Sequence, residues 1–324
     1  MWKAKGKGYF LWVKMNWKPR GNKLDFVKHK YLEQIYKDYE GRGDGEIYYQ
    51  KSAQVGLTEK LVSEALWLVD QYNYNSIYFF PTTSTMADLV RERIDQPLRY
   101  SNYLASVASG AKLVMGKHAD NIGLKRMSLG FCYFRGSNAL AAITSVPGDA
   151  IFVDEVDRMN GESVPYFEKR LEHSNLRWQR WASTPTVSGF GINRLFVNSD
   201  QMHWMVKCNH CGQYQELDFF VNVDIDRKII LCRHCKKQII PWQLDGEWVA
   251  KFPDKPKRGY QICSLYSPMV NVAKLVEASQ KVSEYEIQQF YNQNLGIPYE
   301  PRGGKINDDD LERCKKDYVS PYLS

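Results

Sequence analysis

The sequence predicts an α/β fold: a mostly parallel central sheet flanked by helices, with a small β module inserted late in the chain. Two observations carry this reading. Short apolar runs (Ile47 to Tyr49, Ser76 to Phe80, Phe131 to Phe134, Ala150 to Val153, Trp178 to Ala182) alternate with stretches of helical spacing. Strands this apolar read as buried on both faces, the mark of a parallel sheet covered by helices. The second observation is a change of texture near Val206, where paired cysteines and short β-like runs take over until about Pro241.

Along the chain, residues 1–40 mix basic and aromatic residues and then give a helical stretch around Phe26 to Tyr39. Asp44 and Gly45 supply a turn into the first strand. Glu59 to Tyr72 reads as a helix, with Leu61, Val62, Ala65, Leu66 and Val69 at helical spacing. Pro81 stops the second strand, and Thr85 to Leu98 looks helical. Residues 162–174 look helical, and Ser183-Thr184-Pro185 closes the strand that ends at Ala182. Val272 to Gln289 forms a last helix, and the tail from Gly303 is polar and charged. The expected organisation is a basic, helical segment at 1–40, a core at 41–203, the cysteine insert at 204–241, the rest of the core domain at 242–305, and a linker at 306–324.

At 324 residues, 44% hydrophobic and 14% aromatic, the chain has material for a sizeable core and does not read as disordered. The formal net charge of +7 is compatible with a polyanionic partner without demanding one. Seven basic residues fall between Lys3 and Lys23, ahead of the first acidic residue, Asp25. Such a run is a solvated tail or a contact with DNA phosphates. No run of about 18 apolar residues exists, which argues against a membrane span. Tyr9 to Val13 is too short for a signal-peptide core.

Lys51-Ser52-Ala53-Gln54-Val55-Gly56-Leu57-Thr58 sits between a strand and a helix, where loop amides and a helix N-terminus face an anion. The usual phosphate-loop pattern is G-x-x-x-x-G-K-[ST]. Gly56 and Thr58 match it, Leu57 replaces the lysine, and Lys51 stands where the first glycine would be. A lysine at the front of the loop can reach the β- and γ-phosphates of a nucleotide as a point charge. Gly56 allows close backbone approach, and the Thr58 hydroxyl can ligate Mg²⁺. Ile151-Phe152-Val153-Asp154-Glu155 runs from an apolar strand into two carboxylates at its C-terminal end, where open α/β sheets bind ligands. Asp154 would hold Mg²⁺, and Glu155 would orient or deprotonate an attacking water. The plain alternative is a solvated acidic turn, with Asp157 nearby. The two motifs lie roughly 95 residues apart with two candidate strands between, an arrangement that suits an ATPase with an extra strand.

Lys51 to Thr58 resembles the altered phosphate loop of GpA-like (lambda-type) terminase large subunits. Tyr78-Phe79-Phe80-Pro81-Thr82 resembles the strand that follows it in that family, Val153 to Asp157 the acidic motif, and Ala182 to Thr186 the coupling motif. The likeness continues through the cysteine pairs, Gly259-Tyr260 and Leu265 to Pro268, to Asn294 to Tyr299, and so covers roughly residues 25–305. The segment around Arg20 departs from the family's adenine-contacting pattern. The resemblance implies an additional-strand P-loop ATPase that uses ATP and Mg²⁺ to drive double-stranded DNA into a procapsid. It also implies a homo-oligomeric ring working with a portal protein and a small terminase subunit in the cytoplasm of the bacterial host. Ser183, Thr184 and Pro185 would couple hydrolysis to movement. The family's nuclease domain is expected to be absent, and DNA cleavage with it, because no further acidic cluster on strands is visible before Ser324.

Cys208-Asn-His-Cys211 and Cys232-Arg-His-Cys235 have the spacing of two knuckles that place four thiolates around a structural Zn²⁺. A disulfide or redox pair fits the context less well, and His210 and His234 could compete as ligands. Lys207, Arg227, Lys228, Arg233, Lys236 and Lys237 make this region a DNA or subunit contact, or a solvated face. Arg91, Arg93, Arg135 and Arg158 are candidates for a charge-stabilising arginine, with Arg135, just after a strand, preferred. Cys132 and Cys263 read as core, and Cys314 lacks a partner spacing. Two other readings share these motifs: a superfamily-2-like DNA-dependent ATPase or helicase, and a zinc-ribbon DNA-binding adaptor with an inactive nucleotide fold.

Overall fold

The structure is a computed structural model that describes residues 8–38, 45–115 and 120–301. Asp44, Cys314 and the polar tail lie outside the described residues.

Chain order explains the layers. Helix α1 (Tyr9–Asn16) and helix α2 (Lys30–Lys37) precede strand β1 (Glu46–Lys51) and the long helix α3 (Leu57–Tyr72). Strand β2 (Ser76–Phe80) leads to α4 (Thr83–Leu89), α5 (Asp95–Tyr100) and α6 (Asn102–Met115). Strands β3 (Asp120–Asn121), β4 (Leu124–Met127) and β5 (Gly130–Gly136) follow, then α7 (Leu140–Thr144), β6 (Ala150–Asp154), α8 (Pro165–Glu168) and β7 (Trp178–Ser183). After α9 (Gly191–Val197) come β8 (Met202–Lys207), β9 (Tyr214–Glu216), α10 (Phe219–Asn222), β10 (Val223–Asp224) and β11 (Ile229–Ile230). The chain returns through β12 (Gly246–Ala250) and β13 (Arg258–Ile262) to α11 (Val272–Ser279) and α12 (Glu284–Gln289).

Among the described residues the main sheet runs β12-β8-β13-β1-β7-β6-β2-β5-β4-β3, with β9 on β8. Every pair from β8 through β13, β1, β7, β6 and β2 to β5 is parallel. The antiparallel pairs sit at the two edges. β6 and β2 are buried along their whole length, as their apolar sequences require.

Several elements differ from the sequence reading for visible reasons. The first predicted helix spans only Lys30–Lys37, and Phe26 packs into the core outside it. The stretch at 85–98 is interrupted by a π-type turn, Val90–Ile94. Pro97 has no N–H for the Arg93 carbonyl, so the regular ladder cannot run through that point. The stretch at 162–174 contains only the short α8 and a 3₁₀ turn, Lys169–Leu171. The last helix is split because Ser283 caps a new start, its hydroxyl accepting from the Glu286 N–H at 3.3 Å.

The N-terminal run is no solvated tail from Tyr9 onward, which corrects that reading. Tyr9, Trp12, Val13 and Trp17 are fully buried. They face α3: Trp12 donates to Asp70 (2.7 Å), Trp17 to Glu59 (2.5 Å), and Tyr9 to the Lys60 carbonyl (2.8 Å). Basic residues dominate the charge pattern, while the aromatics between them decide the packing.

Candidate functional site

The strand order places the C-terminal ends of β1, β7 and β6 side by side. Gln50 is in register with Ser183, and Ala182 with Asp154. β7 therefore lies between the strand that feeds the loop and the strand that ends in two carboxylates. Residues more than a hundred positions apart meet across it.

The loop from Ser52 to Gly56 turns twice through left-handed backbone, at Gln54 (φ 57°) and Gly56 (φ 83°). Glycine meets that demand at Gly56 without a Cβ penalty. Gly56 is followed at once by α3, whose first amides have no partner within the helix. Val55 and Leu57 are buried in the core. The position that holds lysine in the usual pattern thus packs inward, and the cation comes from the front of the loop. Lys51 Nζ lies 2.7 Å from Glu155 Oε1.

The two carboxylates are shifted in opposite directions because their surroundings differ. Asp154 Oδ2 accepts from the Thr58 hydroxyl (2.8 Å) and the Tyr78 hydroxyl (3.0 Å). Its Oδ1 is buried without a hydrogen-bond partner. Burial raises the Asp154 pKa against the opposing charge of Lys51. Burial also pushes Glu155 upward, but the Lys51 charge and hydrogen bond, with help from Arg158, hold it below its ordinary value. Lys51 is raised in turn: burial disfavours its charge, and Glu155 and Asp154 outweigh that cost. Glu155 adopts φ 62°, an unusual conformation for a residue with a Cβ and one seen where function constrains the backbone.

Ser183 to Pro185, at the end of β7, join the same cluster. The Thr184 hydroxyl donates to Glu155 Oε2 at 3.3 Å, and the Ser183 hydroxyl donates to the Thr184 carbonyl at 2.9 Å. Pro185 is buried behind them. Asp157 ties the acidic turn to the exit of β7 and the start of α9, accepting from the Thr186 N–H and hydroxyl and from the Ile192 N–H.

The structure thus brings Lys51 to Thr58, Asp154, Glu155 and Ser183 to Pro185 together. It does not bring Arg135, which corrects the preference for that residue. The Arg135 guanidinium donates to the carbonyls of Gly123 (2.7 Å), Phe134 (2.8 Å) and Ala142 (3.1 Å), bracing its own strand. Arg158 comes nearest to the cluster, 3.9 Å from Glu155 Oε2. Arg93 lies 3.5 Å from Glu59 and Arg91 3.9 Å from Asp88. Beside the start of α3, a cavity of about 300 Å³ is lined by Pro19, Arg20, Glu59, Arg93 and Pro97. Sequence reasoning missed Gln293, whose amide donates to Thr184 Oγ1 at 3.2 Å. It missed Tyr78 as a site residue too, although a phenol in a wholly buried strand must find a partner.

The four sulfurs of Cys208, Cys211, Cys232 and Cys235 lie within 4.8 Å of one another. The Cys208–Cys235 and Cys211–Cys232 separations are 3.9 and 3.8 Å. A tetrahedron with Zn–S bonds near 2.3 Å has edges of roughly 3.8 Å, so the set is compatible with zinc. Gln215 donates to Cys232 Sγ at 3.2 Å. Burial pushes the Cys232 thiol up, but the backbone N–H groups of Cys235 and His234, together with the Gln215 amide and Cys208, bring it down to about 6. His210 turns to the Gln238 carbonyl at 3.1 Å, outside the sulfur cluster. Lys207, Arg227, Lys228, Lys236 and Lys237 are exposed around it. Among the described residues no helix is long and apolar enough to cross a membrane.

Comparison with known proteins finds phage terminases. The family described as phage terminase large subunit gpA, ATPase domain, matches residues 30–247. The large terminase subunit of Escherichia phage lambda is 24% identical over 322 residues, covering 85% of this chain and 49% of its own length. That of Enterobacteria phage P21 is 27% identical over 179 residues, covering 52% of this chain and 27% of its own length. The chain therefore spans half or less of the curated relatives it matches. Among solved structures, the large terminase of a thermophilic bacteriophage is 18% identical, with a TM-score of 0.34 over 60% of this chain and 43% of that one.

One match overturns an expectation. The terminase gpA endonuclease-domain family matches residues 257–322, so nuclease-family sequence is present in part and the case for its absence falls. The match begins at β13, which lies in the sheet between β8 and β1. The ATPase-domain match takes in the loop, the acidic strand end, the coupling segment and all four cysteines, and over two thirds of its length this chain belongs to the gpA family of phage terminase large subunits.

Proposed function

We propose that this chain is the ATP-hydrolysing motor part of a DNA-packaging terminase, built as an additional-strand P-loop fold with a zinc ribbon. The observation that carries the proposal is the meeting of Lys51, Thr58, Asp154 and Glu155 at the ends of neighbouring parallel strands, beside a long helix's N-terminus. The amides of residues 52–58 and the Lys51 ammonium receive the nucleotide phosphates. The orphaned Asp154 Oδ1 and the Thr58 hydroxyl fit Mg²⁺. That ion, when bound, neutralises charge on the β- and γ-phosphates.

In the structure Lys51 is occupied by Glu155. An incoming γ-phosphate competes for that ammonium and frees the carboxylate, whose affinity for a proton rises as the Lys51 charge that depressed it is drawn off, which suits a group that must take a proton. The freed Glu155 then orients the attacking water and takes its proton. Arg158 is the best-placed candidate to stabilise the transferring phosphoryl. The cavity beside Arg20 and Arg93 suits the base end of the nucleotide.

Zn²⁺ at the four cysteines would hold the ribbon folded. The exposed basic residues there suit phosphates of double-stranded DNA, contacted without regard to sequence. Assembly as a ring with a portal protein and a small terminase subunit, at the procapsid in the host cytoplasm, completes the packaging reading. The adaptor reading rests on Leu57 in place of lysine, and the burial of Leu57 with Lys51 set beside Glu155 favours a working site instead.

The test is phosphate release from ATP, with and without Mg²⁺ and linear double-stranded DNA. Mg²⁺-dependent turnover that rises with DNA is expected. No turnover and no nucleotide binding under any of these conditions would sink the motor reading.

A further inference from the structure

We infer that Gln293 is a positioning residue that links the phosphate loop to the coupling motif, so that the nucleotide state is passed to the helices α11 and α12. The inference rests on the ATPase reading above and names a residue which that reading does not contain.

Gln293 touches both halves of the site. Its carbonyl accepts from the Ala53 N–H of the loop at 2.7 Å. Its side-chain amide donates to Thr184 Oγ1 at 3.2 Å. The Thr184 hydroxyl gives its only proton to Glu155 Oε2, at 3.3 Å, so its lone pairs are available to accept from Gln293. The chain of contacts thus runs from loop backbone through Gln293 and Thr184 to the carboxylate that Lys51 holds.

The backbone around Gln293 is fixed in place for this task. It lies in a π-type turn, Phe290–Leu295, a conformation often found at functional sites. The turn ends at Gly296 with φ 70°, where a Cβ would sit 2.4 Å from the Ser52 nitrogen and 2.7 Å from the Lys51 carbonyl carbon. Only glycine lets the two backbones approach so closely. Three residues on, the Tyr299 N–H donates to the Thr186 carbonyl at 2.9 Å. The segment is therefore attached to the loop at Ala53 and Ser52, and to the coupling strand's exit at Thr184 and Thr186.

Consequently a change in Glu155 reaches this segment. When phosphate draws Lys51 away, Glu155 loses its cation partner, and Thr184, through its hydroxyl and its backbone N–H, remains beside it with Arg158. Movement of Thr184 shifts the Gln293 amide, and α12 leads straight into that turn. A cavity of about 430 Å³ between Ala53 and Gln54 on one side and Asn271, Lys274 and Gln293 on the other gives α11 room to close on the loop.

The experiment compares wild type, Gln293→Leu, Gln293→His and Thr184→Val in the full chain. It measures affinity for a fluorescent ATP analogue, kcat and KM for ATP, and amide hydrogen exchange over residues 284–299 with and without Mg²⁺-ATP. Gln293→Leu should keep nucleotide affinity within about threefold while kcat falls roughly 10- to 100-fold, as misplacement of a reacting group does. The ATP-induced change in exchange over 284–299 should vanish in that variant. Gln293→His, which keeps a donor at similar reach, should restore most of the turnover. The double variant Gln293→Leu/Thr184→Val should be no worse than Thr184→Val alone, because both act through one contact. Turnover and exchange in Gln293→Leu equal to wild type would overturn the inference and leave the ATPase reading intact. If Gln293→Leu fails to fold, a Gln293→His variant without turnover overturns it equally. Wild-type protein that binds no nucleotide overturns both.

Discussion

The cluster around Lys51 and Glu155 and the cysteine cluster are built in opposite ways. The four cysteines lie within 28 positions of one another, from Cys208 to Cys235, and local knuckles bring them together. The other site draws on Lys51, Thr58, Asp154, Glu155, Thr184 and Gln293, and the strand order β1-β7-β6, with the turn that carries Gln293 laid across it, makes them neighbours. The first can be lost without the sheet, whereas the second exists only while the sheet holds its register. Residue spacing therefore carries a local site, and topology carries a distributed one.

Four variants probe that contrast. The largest effect belongs to the metal cluster and should stay local. Cys208→Ser should lose bound zinc by elemental analysis and expose the ribbon to protease, since structural zinc supplies on the order of 10 kcal/mol to small zinc modules. Its ATP affinity should stay within a few-fold of wild type, because the ribbon hangs on β8, two strands from β1. Next, Lys51→Ala should lower ATP turnover by about 100-fold or more, as removal of a preorganised charge does, while its zinc content is unchanged. Loss of zinc from Lys51→Ala, or of nucleotide binding from Cys208→Ser, would show the two sites to be one cooperative unit.

A smaller effect comes from the buried charges under α3. Lys60 and Arg180 share one carboxylate, Glu64, at 2.6 and 3.0 Å, all three fully buried. Burial lowers Lys60 from 10.5 to about 8, against the attraction of Glu64. A depressed lysine binds fewer protons folded than unfolded between those values, so stability rises with pH through that window. The thermal midpoint of wild type relative to Lys60→Met should therefore rise from about pH 8 to about pH 9.5. The smallest effect is Trp17→Phe, which removes the 2.5 Å hydrogen bond to Glu59. Denaturant unfolding should record a loss of about 1–3 kcal/mol with nucleotide affinity retained.

The strands that carry chemistry are legible in the sequence because apolar runs end in Lys51, Glu155 and Ser183. The cysteines are legible from spacing alone. The N-terminal aromatics are misjudged when charge is weighed above Trp12 and Trp17, which the core claims. Arg135 misleads because a residue after a strand can as well brace its own backbone as face a ligand. Gln293 gives no signal at all: a glutamine in a polar helical stretch becomes informative only when the fold lays it across Ala53 and Thr184. β12 and β13 escape a sequence reading for a related reason, since their place in the sheet depends on partners far away in the chain.

The assignment of Glu155 is tested most directly by Mg²⁺-dependent ATP turnover in Glu155→Gln beside wild type, with nucleotide affinity measured on the same samples. Affinity should stay near that of wild type while turnover drops by about 10²- to 10⁴-fold, the range for a lost general base. Turnover that survives in Glu155→Gln would contradict the assignment, because the carboxylate held between Lys51 and Thr184 would then not be the group that activates water.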